Sequence, residues 1–142
     1  GKKKIMKNPI FHLAFPVHDL ELSREFYIKK IGCALGRESD QWIDFNFYGH
    51  QIVAHLSPDD CRLFKTNTVD NNEVPTRHFG IILPMEEWIS LCQKLEQKEI
   101  RFYIKPKIRF KNQPGEQATF FIEDPSGNML EFKSFQNMKN IF

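Results

Sequence analysis

The first half of the chain alternates apolar and polar residues in several stretches, as β-strands with one buried face do. These stretches are residues 10–17, 42–47 and 51–56, and a shorter one lies near residues 34–37. Pro16 has no backbone N–H to donate to a neighbour, so the first strand is predicted to lie at a sheet edge or to end there. The pattern predicts mostly strands in this half.

A helix is predicted between the first two strands, over about residues 20–30. Asp19 stands where a side chain can cap the first turn. Leu22, Phe26 and Tyr27 recur at helical spacing and are predicted to form the apolar stripe. The first half is therefore predicted to be a β-α-β-β unit, with the stretch near 34–37 as an additional short strand.

The same order of elements begins again after residue 77. Residues 78–84 repeat the design of the first strand, and residues 100–105 alternate as a further strand. Between them, apolar residues follow one another at helical spacing: Trp88, Leu91, Cys92 and Leu95. Each half opens on a histidine, His12 or His78, which indicates an internal duplication.

The strongest local pattern is a β-hairpin over residues 118–132. Two apolar runs flank the sequence from Asp124 to Asn128, which is rich in turn-forming residues. Glu131 lies within the returning strand, where an unpaired buried carboxylate costs several kcal/mol. A cation or hydrogen-bond donors are therefore expected to meet Glu131.

Composition narrows the classes of function. The chain has 142 residues, of which 41% are hydrophobic, so it can bury the core of a single domain. Its net charge of +2 gives no indication of nucleic-acid binding, and no apolar run approaches a membrane span. Cys33, Cys61 and Cys92 are odd in number and lack metal-binding spacing, which favours a reducing, cytoplasmic setting. A small soluble ligand is the expected partner.

Histidines and a carboxylate stand at matching places in the two halves. His12 and His55 lie on the first and last strands of one half, and His78 and Glu131 on those of the other. Two histidines and one carboxylate suit a divalent transition metal, although a single strand histidine is more often only structural. Recurrence in both halves favours a metal site at His12, His78 and Glu131. His55 is left open as a fourth ligand, a proton-transfer group or a packed bystander.

A cationic stretch separates the last two predicted strands of the second half from the strand before them. Positively charged residues occupy every second position of this stretch: Lys105, Lys107, Arg109 and Lys111. In an extended chain they share one face, which is either solvated or forms a wall for an anionic substrate. Arg109 is the candidate contact for a substrate carboxylate, because its planar guanidinium can bind two oxygens.

The two histidines, the Phe26-Tyr27 pair and the segment from Asp124 to Glu131 resemble the vicinal oxygen chelate superfamily. That superfamily contains glyoxalase I, bleomycin- and fosfomycin-resistance proteins and extradiol dioxygenases. The resemblance implies an α+β fold in which two paired βαβββ modules form an open, cupped mixed sheet. It places a first module at about residues 9–57, a linker at about 58–76 and a second module at about 77–135, within a single domain.

The resemblance also implies chemistry. It assigns His12, His78 and Glu131 to one divalent metal ion (Fe, Mn, Zn or Ni) and implies a homodimer. It places His55 where glyoxalase I has a glutamate ligand, which leaves His55 as the candidate catalytic proton carrier. Phe121 stands where extradiol dioxygenases carry a tyrosine, and it is grouped with Arg109 as a substrate-binding residue.

The function expected from this resemblance is a metal-dependent enzyme acting on a small, oxygen-chelating and anionic substrate. Lyase, isomerase and iron dioxygenase chemistry are all compatible with it. The alternative is a resistance or binding protein that sequesters a drug or metabolite without turnover.

Overall fold

The computed structural model describes residues 8–61 and 74–142 of the chain. Within these ranges, strands and helices follow the predicted order, with a strand, a helix and three strands occurring twice. The middle of the predicted linker, residues 62–73, lies outside the described residues. Among the described residues, no helix is both long enough and apolar enough to cross a membrane.

The first module contains β1 (His12–Val17), α1 (Leu20–Arg24), β2 (Ala34–Glu38), β3 (Trp42–Phe47) and β4 (His50–Leu56). Its strands lie in the order β1-β4-β3-β2, with β1 parallel to β4 and the other neighbours antiparallel. The predicted edge position of the strand that carries Pro16 is confirmed, because β1 is the first strand of this sheet.

The second module repeats this arrangement with β5 (Phe79–Ile82), α2 (Met85–Gln97), β6 (Phe102–Arg109), β7 (Gln117–Glu123) and β8 (Met129–Phe135). Its strand order is β5-β8-β7-β6, again with only the first pair parallel. The fold is therefore α+β, with two open four-stranded mixed sheets in βαβββ modules. The predicted fold class is confirmed.

The helical part of the first module differs from the prediction in one respect. Asp19 accepts a hydrogen bond from the backbone N–H of Leu22 at 2.9 Å, as a capping residue does. After Arg24 the helix continues as a π-helix, Glu25–Ile31. Leu22 remains exposed on 44% of its surface, while Ser23 is fully buried and its hydroxyl donates to the Asp19 carbonyl. The prediction that Leu22 belongs to the apolar stripe is wrong.

Both modules contribute to one aromatic core. The ring of Phe15 lies 5.3 Å from that of Phe79, and the ring of Phe47 lies 6.0 Å from that of Phe132. These contacts bury large aromatic side chains from both sheets against the helices in one continuous cluster. Because the core spans both modules, the two sheets are held in a fixed relation in the chain.

The turn between β7 and β8 binds the second module to the first. The Asn128 amide donates to the carbonyl of Pro16 at 2.9 Å, and the backbone N–H of His18 donates to the Ser126 hydroxyl at 2.9 Å. Ser126 is almost fully buried. This turn therefore positions the start of β8, two residues before Glu131, against the end of β1.

Candidate functional site

His78 and Glu131 meet at the parallel pair of strands in the second module. His78 immediately precedes β5, and the register of β5 with β8 pairs Gly80 with Glu131. The His78 Nε2 atom lies 3.3 Å from Glu131 Oε1. An added Cβ at Gly80 would lie 1.6 Å from the Glu131 carbonyl oxygen, so this close approach of the backbones requires glycine.

The other polar atoms of this pair are already engaged. His78 Nδ1 lies 2.8 Å from the carbonyl oxygen of Pro75, which can only accept, so Nδ1 carries a hydrogen. The Thr119 hydroxyl donates to Glu131 Oε2 at 2.6 Å. In neutral His78 the lone pair of Nε2 therefore faces a carboxylate oxygen. Two acceptors at this distance attract each other only when a proton or a cation lies between them.

The separation of the two acceptors suits a shared metal ion. Nitrogen and oxygen ligands bind zinc-like ions at about 2.0–2.2 Å, which at a tetrahedral angle places two ligands of one ion about 3.3–3.6 Å apart. The 3.3 Å between His78 Nε2 and Glu131 Oε1 lies in that range. A backbone carbonyl on the histidine and a hydroxyl on the carboxylate are also typical supports of metal ligands. The residues present therefore fit a divalent ion.

The surroundings of the pair are largely apolar. The side chains of His78 and Glu131 are 28% and 11% exposed, respectively. The Phe121 ring lies 5.0 Å from the His78 imidazole in an edge-on arrangement, and both Phe121 and Thr119 are fully buried. Phe121 therefore supports the imidazole. Its predicted contact with a substrate stays a prediction.

His12 lies elsewhere in the chain. Its Nδ1 atom is 2.7 Å from Gln51 Oε1, and the Gln51 amide nitrogen donates to Asp44 Oδ2 at 3.2 Å. His12 and Gln51 are both exposed. In the described ranges, no three His, Cys, Asp or Glu side chains come close enough to hold a metal ion. A single chain thus joins His78 with Glu131 and leaves His12 apart, and the predicted set of three ligands stays a prediction.

The strand register shows which residue of the first module corresponds to Glu131. When the two modules are aligned on His12 and His78, Ala14 of the first module corresponds to Gly80 of the second. Ala14 is paired with Val53 and Gly80 with Glu131, so Val53 corresponds to Glu131. His55 is paired with Pro16 further along β4 and is exposed. In this register Val53 is the counterpart of Glu131, and the predicted role of His55 stays a prediction.

The cationic stretch is partly strand and partly turn. Lys107 pairs with Thr119 and Arg109 with Gln117, which places both cations on the face of the sheet that carries Glu131. A β-bulge interrupts the alternation at residues 105 and 106, and the strand ends at Arg109. The prediction of four cations on one face is therefore wrong for Lys105 and Lys111. Arg109 and Lys107 keep the predicted orientation.

A cavity of about 410 Å³ lies beside His78. Its apolar lining comes mainly from β1, and its polar lining comes from the residues before β5 and from the β7–β8 turn. The residues at its polar side include Cys61, Arg77, Ser126 and Asn128. Burial raises the pKa of the Cys61 thiol, so it remains protonated at neutral pH. This volume is within the range of small-molecule sites.

Comparison with known proteins identifies the family. The sequence profile of the Glyoxalase/Bleomycin resistance protein/Dioxygenase superfamily matches residues 10–132. The chain belongs to this superfamily. Its members include enzymes such as lactoylglutathione lyase, and a divalent metal is often used among them. Among curated proteins, none matches this chain significantly.

Solved structures of this superfamily resemble the chain over nearly its full length. A glyoxalase/bleomycin resistance protein/dioxygenase from Alicyclobacillus acidocaldarius is 34% identical, with a TM-score of 0.81, over 96% of this chain and 100% of that one. Lactoylglutathione lyase from Agrobacterium tumefaciens is 18% identical, with a TM-score of 0.65, over 89% and 92%. The fosfomycin resistance protein FosX from Listeria monocytogenes is 13% identical, with a TM-score of 0.66, over 96% and 100%. At these low identities, the last two structures show only that they share the fold of this chain.

Sequence reasoning missed the residues that support the candidate ligands. Thr119 was detectable, because a hairpin centred on residues 124–128 places it near Glu131 across the two strands. The contact of Gln51 with His12 was not, because the parallel pairing of β1 with β4 joins residues 39 positions apart in the chain. No local signal in the sequence specifies such a pairing.

Proposed function

We propose that this protein is a metal-dependent enzyme that binds one divalent ion through His78 and Glu131 of one subunit and His12 of a second. The observation that carries the proposal is the 3.3 Å contact between His78 Nε2 and Glu131 Oε1, whose neighbouring side-chain atoms are already hydrogen-bonded. Nitrogen and carboxylate donors suit Fe, Mn, Zn or Ni.

A homodimer would complete the site. His12 is exposed on the open face of the first sheet, and it does not join His78 and Glu131 within one chain. In a two-fold dimer, the same contact occurs twice, so the first module of each subunit can face the second module of the other. Two equivalent centres result, each with three protein ligands.

The chain leaves part of the coordination sphere open for substrate. Val53, at the counterpart of Glu131, cannot bind metal and is only 5% exposed. Three protein ligands leave positions for two neighbouring oxygens of a substrate. The bound ion would supply Lewis-acid stabilisation of negative charge on those oxygens.

The chain's own residues would bind and orient the substrate. Arg109 and Lys107 lie on the face that carries Glu131, so they favour a small substrate with a carboxylate or phosphate group. The side chain of His55 lies on the same face of the first sheet as those of Gln51 and Val53. His55 is four residues from Gln51 along β4, which corresponds to about 13 Å. We retain His55 as the candidate proton carrier for a substrate that extends along this strand.

The identity of residue 121, a phenylalanine, helps to distinguish between the possible reaction classes. Phe121 has no hydroxyl that could handle protons, and it is packed against His78. We therefore favour lyase or isomerase chemistry over ring cleavage by an iron-loaded protein. Rapid extradiol cleavage of catechol, measured by the absorbance of the ring-opened product, would contradict this preference.

Metal analysis tests the proposal directly. We expect about one divalent ion per subunit, and loss of most of it in His12→Ala, His78→Ala and Glu131→Ala variants, because each removes a ligand. His55→Ala is the matched control and should keep its metal. Full occupancy in all three ligand variants would rule out this centre.

Mixing two inactive variants tests whether the site is shared. If His12 comes from a second subunit, refolding His12→Ala together with His78→Ala chains yields mixed dimers in which one site has all its ligands. About a quarter of the sites should then regain metal. If all ligands belong to one chain, the mixture stays metal-free, and the dimeric site is wrong.

The cavity supports one alternative function. At about 410 Å³ it is large enough to hold a drug-sized molecule beside His78. A protein that sequesters a drug or metabolite would bind that ligand equally well after chelation of the metal and would show no turnover. A metal-dependent enzyme would lose substrate binding with the ion, so calorimetric titration before and after chelation separates the two.

A further inference from the structure

His12 lies at the end of a chain of three side chains on the open face of the first sheet. The parallel register pairs His12 with Gln51, which brings their side chains together on neighbouring strands. Asp44 lies on the next strand, in a diagonal position relative to Gln51. The contacts are 2.7 Å from His12 Nδ1 to Gln51 Oε1 and 3.2 Å from Gln51 Nε2 to Asp44 Oδ2.

The direction of each hydrogen bond follows from Asp44. A carboxylate can only accept, so the NH₂ group of the Gln51 amide must face it. The carbonyl oxygen of Gln51 then faces His12 and also can only accept. His12 Nδ1 must therefore carry the hydrogen, and in the neutral imidazole the lone pair is left on Nε2.

His78 reaches the same state with a different partner. Its Nδ1 is bonded to the backbone carbonyl of Pro75, which also leaves Nε2 as the free nitrogen. Both candidate histidine ligands therefore leave Nε2 free for metal. The backbone carbonyl of Pro75 fixes His78 in this state, and the side chains of Gln51 and Asp44 fix His12. Fixing the unused nitrogen in this way orients a metal-binding histidine.

We propose that Gln51, held by Asp44, is a positioning residue that fixes His12 in the Nδ1–H tautomer and presents Nε2 for metal binding. The inference rests on the proposed metal centre for its function, but its structural content can be tested without metal. Val53 at the counterpart of Glu131 makes this role more important, because the first module offers no carboxylate ligand there.

Nitrogen-15 NMR of the histidines in the metal-free protein tests the tautomer. The spectra are recorded at alkaline pH, because only a neutral imidazole has distinct tautomers. We expect wild-type His12 to show a protonated Nδ1, and Gln51→Leu to lose this state, because leucine accepts no hydrogen bond. Gln51→Glu combined with Asp44→Asn should restore it, since the asparagine amide then donates to the new carboxylate, which accepts the bond from His12 Nδ1.

Two controls separate this effect from a general disturbance. The His78 signal should stay unchanged in every variant, because its partner is a backbone carbonyl. Gln93→Leu, the same replacement at an exposed position of α2, should leave both histidines unaffected. A protonated Nε2 in wild-type His12, or an unchanged His12 signal in Gln51→Leu, would overturn the inference.

Zinc titration supplies the second readout. Removal of a group that positions a metal ligand typically weakens affinity 10–100-fold, so Gln51→Leu should bind Zn²⁺ at least about tenfold more weakly. The combined variant Gln51→Glu/Asp44→Asn should remain close to wild type. Weaker binding with an unchanged His12 tautomer would mean that Gln51 is itself a ligand, which contradicts the inference. Absence of Zn²⁺ binding by the wild type would overturn the proposed function, and the NMR result alone would then decide the tautomer.

Discussion

The Tyr27 hydroxyl donates a hydrogen bond to Asp124 Oδ2 at 2.7 Å, with both residues buried. Tyr27 lies in the π-helix of the first module, and Asp124 opens the β7–β8 turn of the second. Asp124 also accepts hydrogen bonds from the backbone of Ser126 and Asn128. Desolvation raises the pKa of Asp124, and these hydrogen bonds oppose the shift. The turn before Glu131 is thus held by a residue from the other module.

Removing the Tyr27 hydroxyl should destabilise the protein. In Tyr27→Phe the buried Asp124 oxygen loses a donor, which costs about 1–3 kcal/mol. Urea unfolding measures the change, and Tyr103→Phe, at a side chain 37% exposed, is the matched control. Equal unfolding midpoints for Tyr27→Phe and wild type would show that this hydrogen bond contributes no net stability.

Stability should also fall at alkaline pH. Burial and the nearby Asp124 carboxylate raise the pKa of Tyr27 well above 10.0, whereas the unfolded chain ionises near that value. As the pH rises, Tyr27 therefore loses its proton in the unfolded state first. The contribution of Tyr27 to the free energy of unfolding is fully present below pH 10 and is lost as the pH rises towards the pKa of Tyr27 in the folded state. Desolvation likewise raises the pKa of Tyr48, to about 12.

Denaturant titrations between pH 9 and pH 11 measure this slope. Tyr27→Phe removes one of these two phenols with a raised pKa, so the stability of the variant should decline less steeply over this range than that of wild type. Identical slopes for the two proteins would mean that Tyr27 does not contribute to the alkaline loss of stability.

Thr119 should strengthen metal binding without touching the ion. In Thr119→Val, Glu131 Oε2 loses its 2.6 Å hydrogen bond, and we expect divalent-metal affinity to fall by about tenfold or more. Ser134→Ala is the control: it removes a buried hydroxyl from β8 that has no hydrogen-bond partner among residues 8–61 and 74–142, so stability and affinity should hold or improve slightly. Unchanged affinity in Thr119→Val would remove Thr119 from the site.

Arg109 should determine a preference for anionic ligands. A charge-assisted hydrogen bond contributes about 1.5–3 kcal/mol, so carboxylate ligands should bind about tenfold or more tightly than neutral analogues. Arg109→Gln should abolish the preference and keep the metal content, whereas Lys111→Gln, beyond the end of β6, should change neither. A preference that survives in Arg109→Gln would indicate that this cation is only solvated.

Some of the site followed from local patterns. The alternation of β-strands, the spacing of Trp88, Leu91, Cys92 and Leu95, and the turn from Asp124 to Asn128 each act within a few residues, so their elements were predictable. A carboxylate in an apolar strand also required a partner, and His78 lies 3.3 Å from it. In contrast, α1 buries Ser23 and exposes Leu22, and the helix continues as a π-helix after Arg24, and the helical spacing of apolar residues predicted neither feature.

What the sequence by itself determined is the duplicated βαβββ order and the residue types available for chemistry, because hydrophobic period and turn composition are local properties. The tertiary structure decided which of these residues meet. Parallel pairing of β1 with β4 and of β5 with β8 places Gln51 beside His12 and Glu131 beside His78, and the β6 bulge turns Lys105 out of line with Arg109. These relations depend on registers between distant strands, which are set by packing of the whole aromatic core.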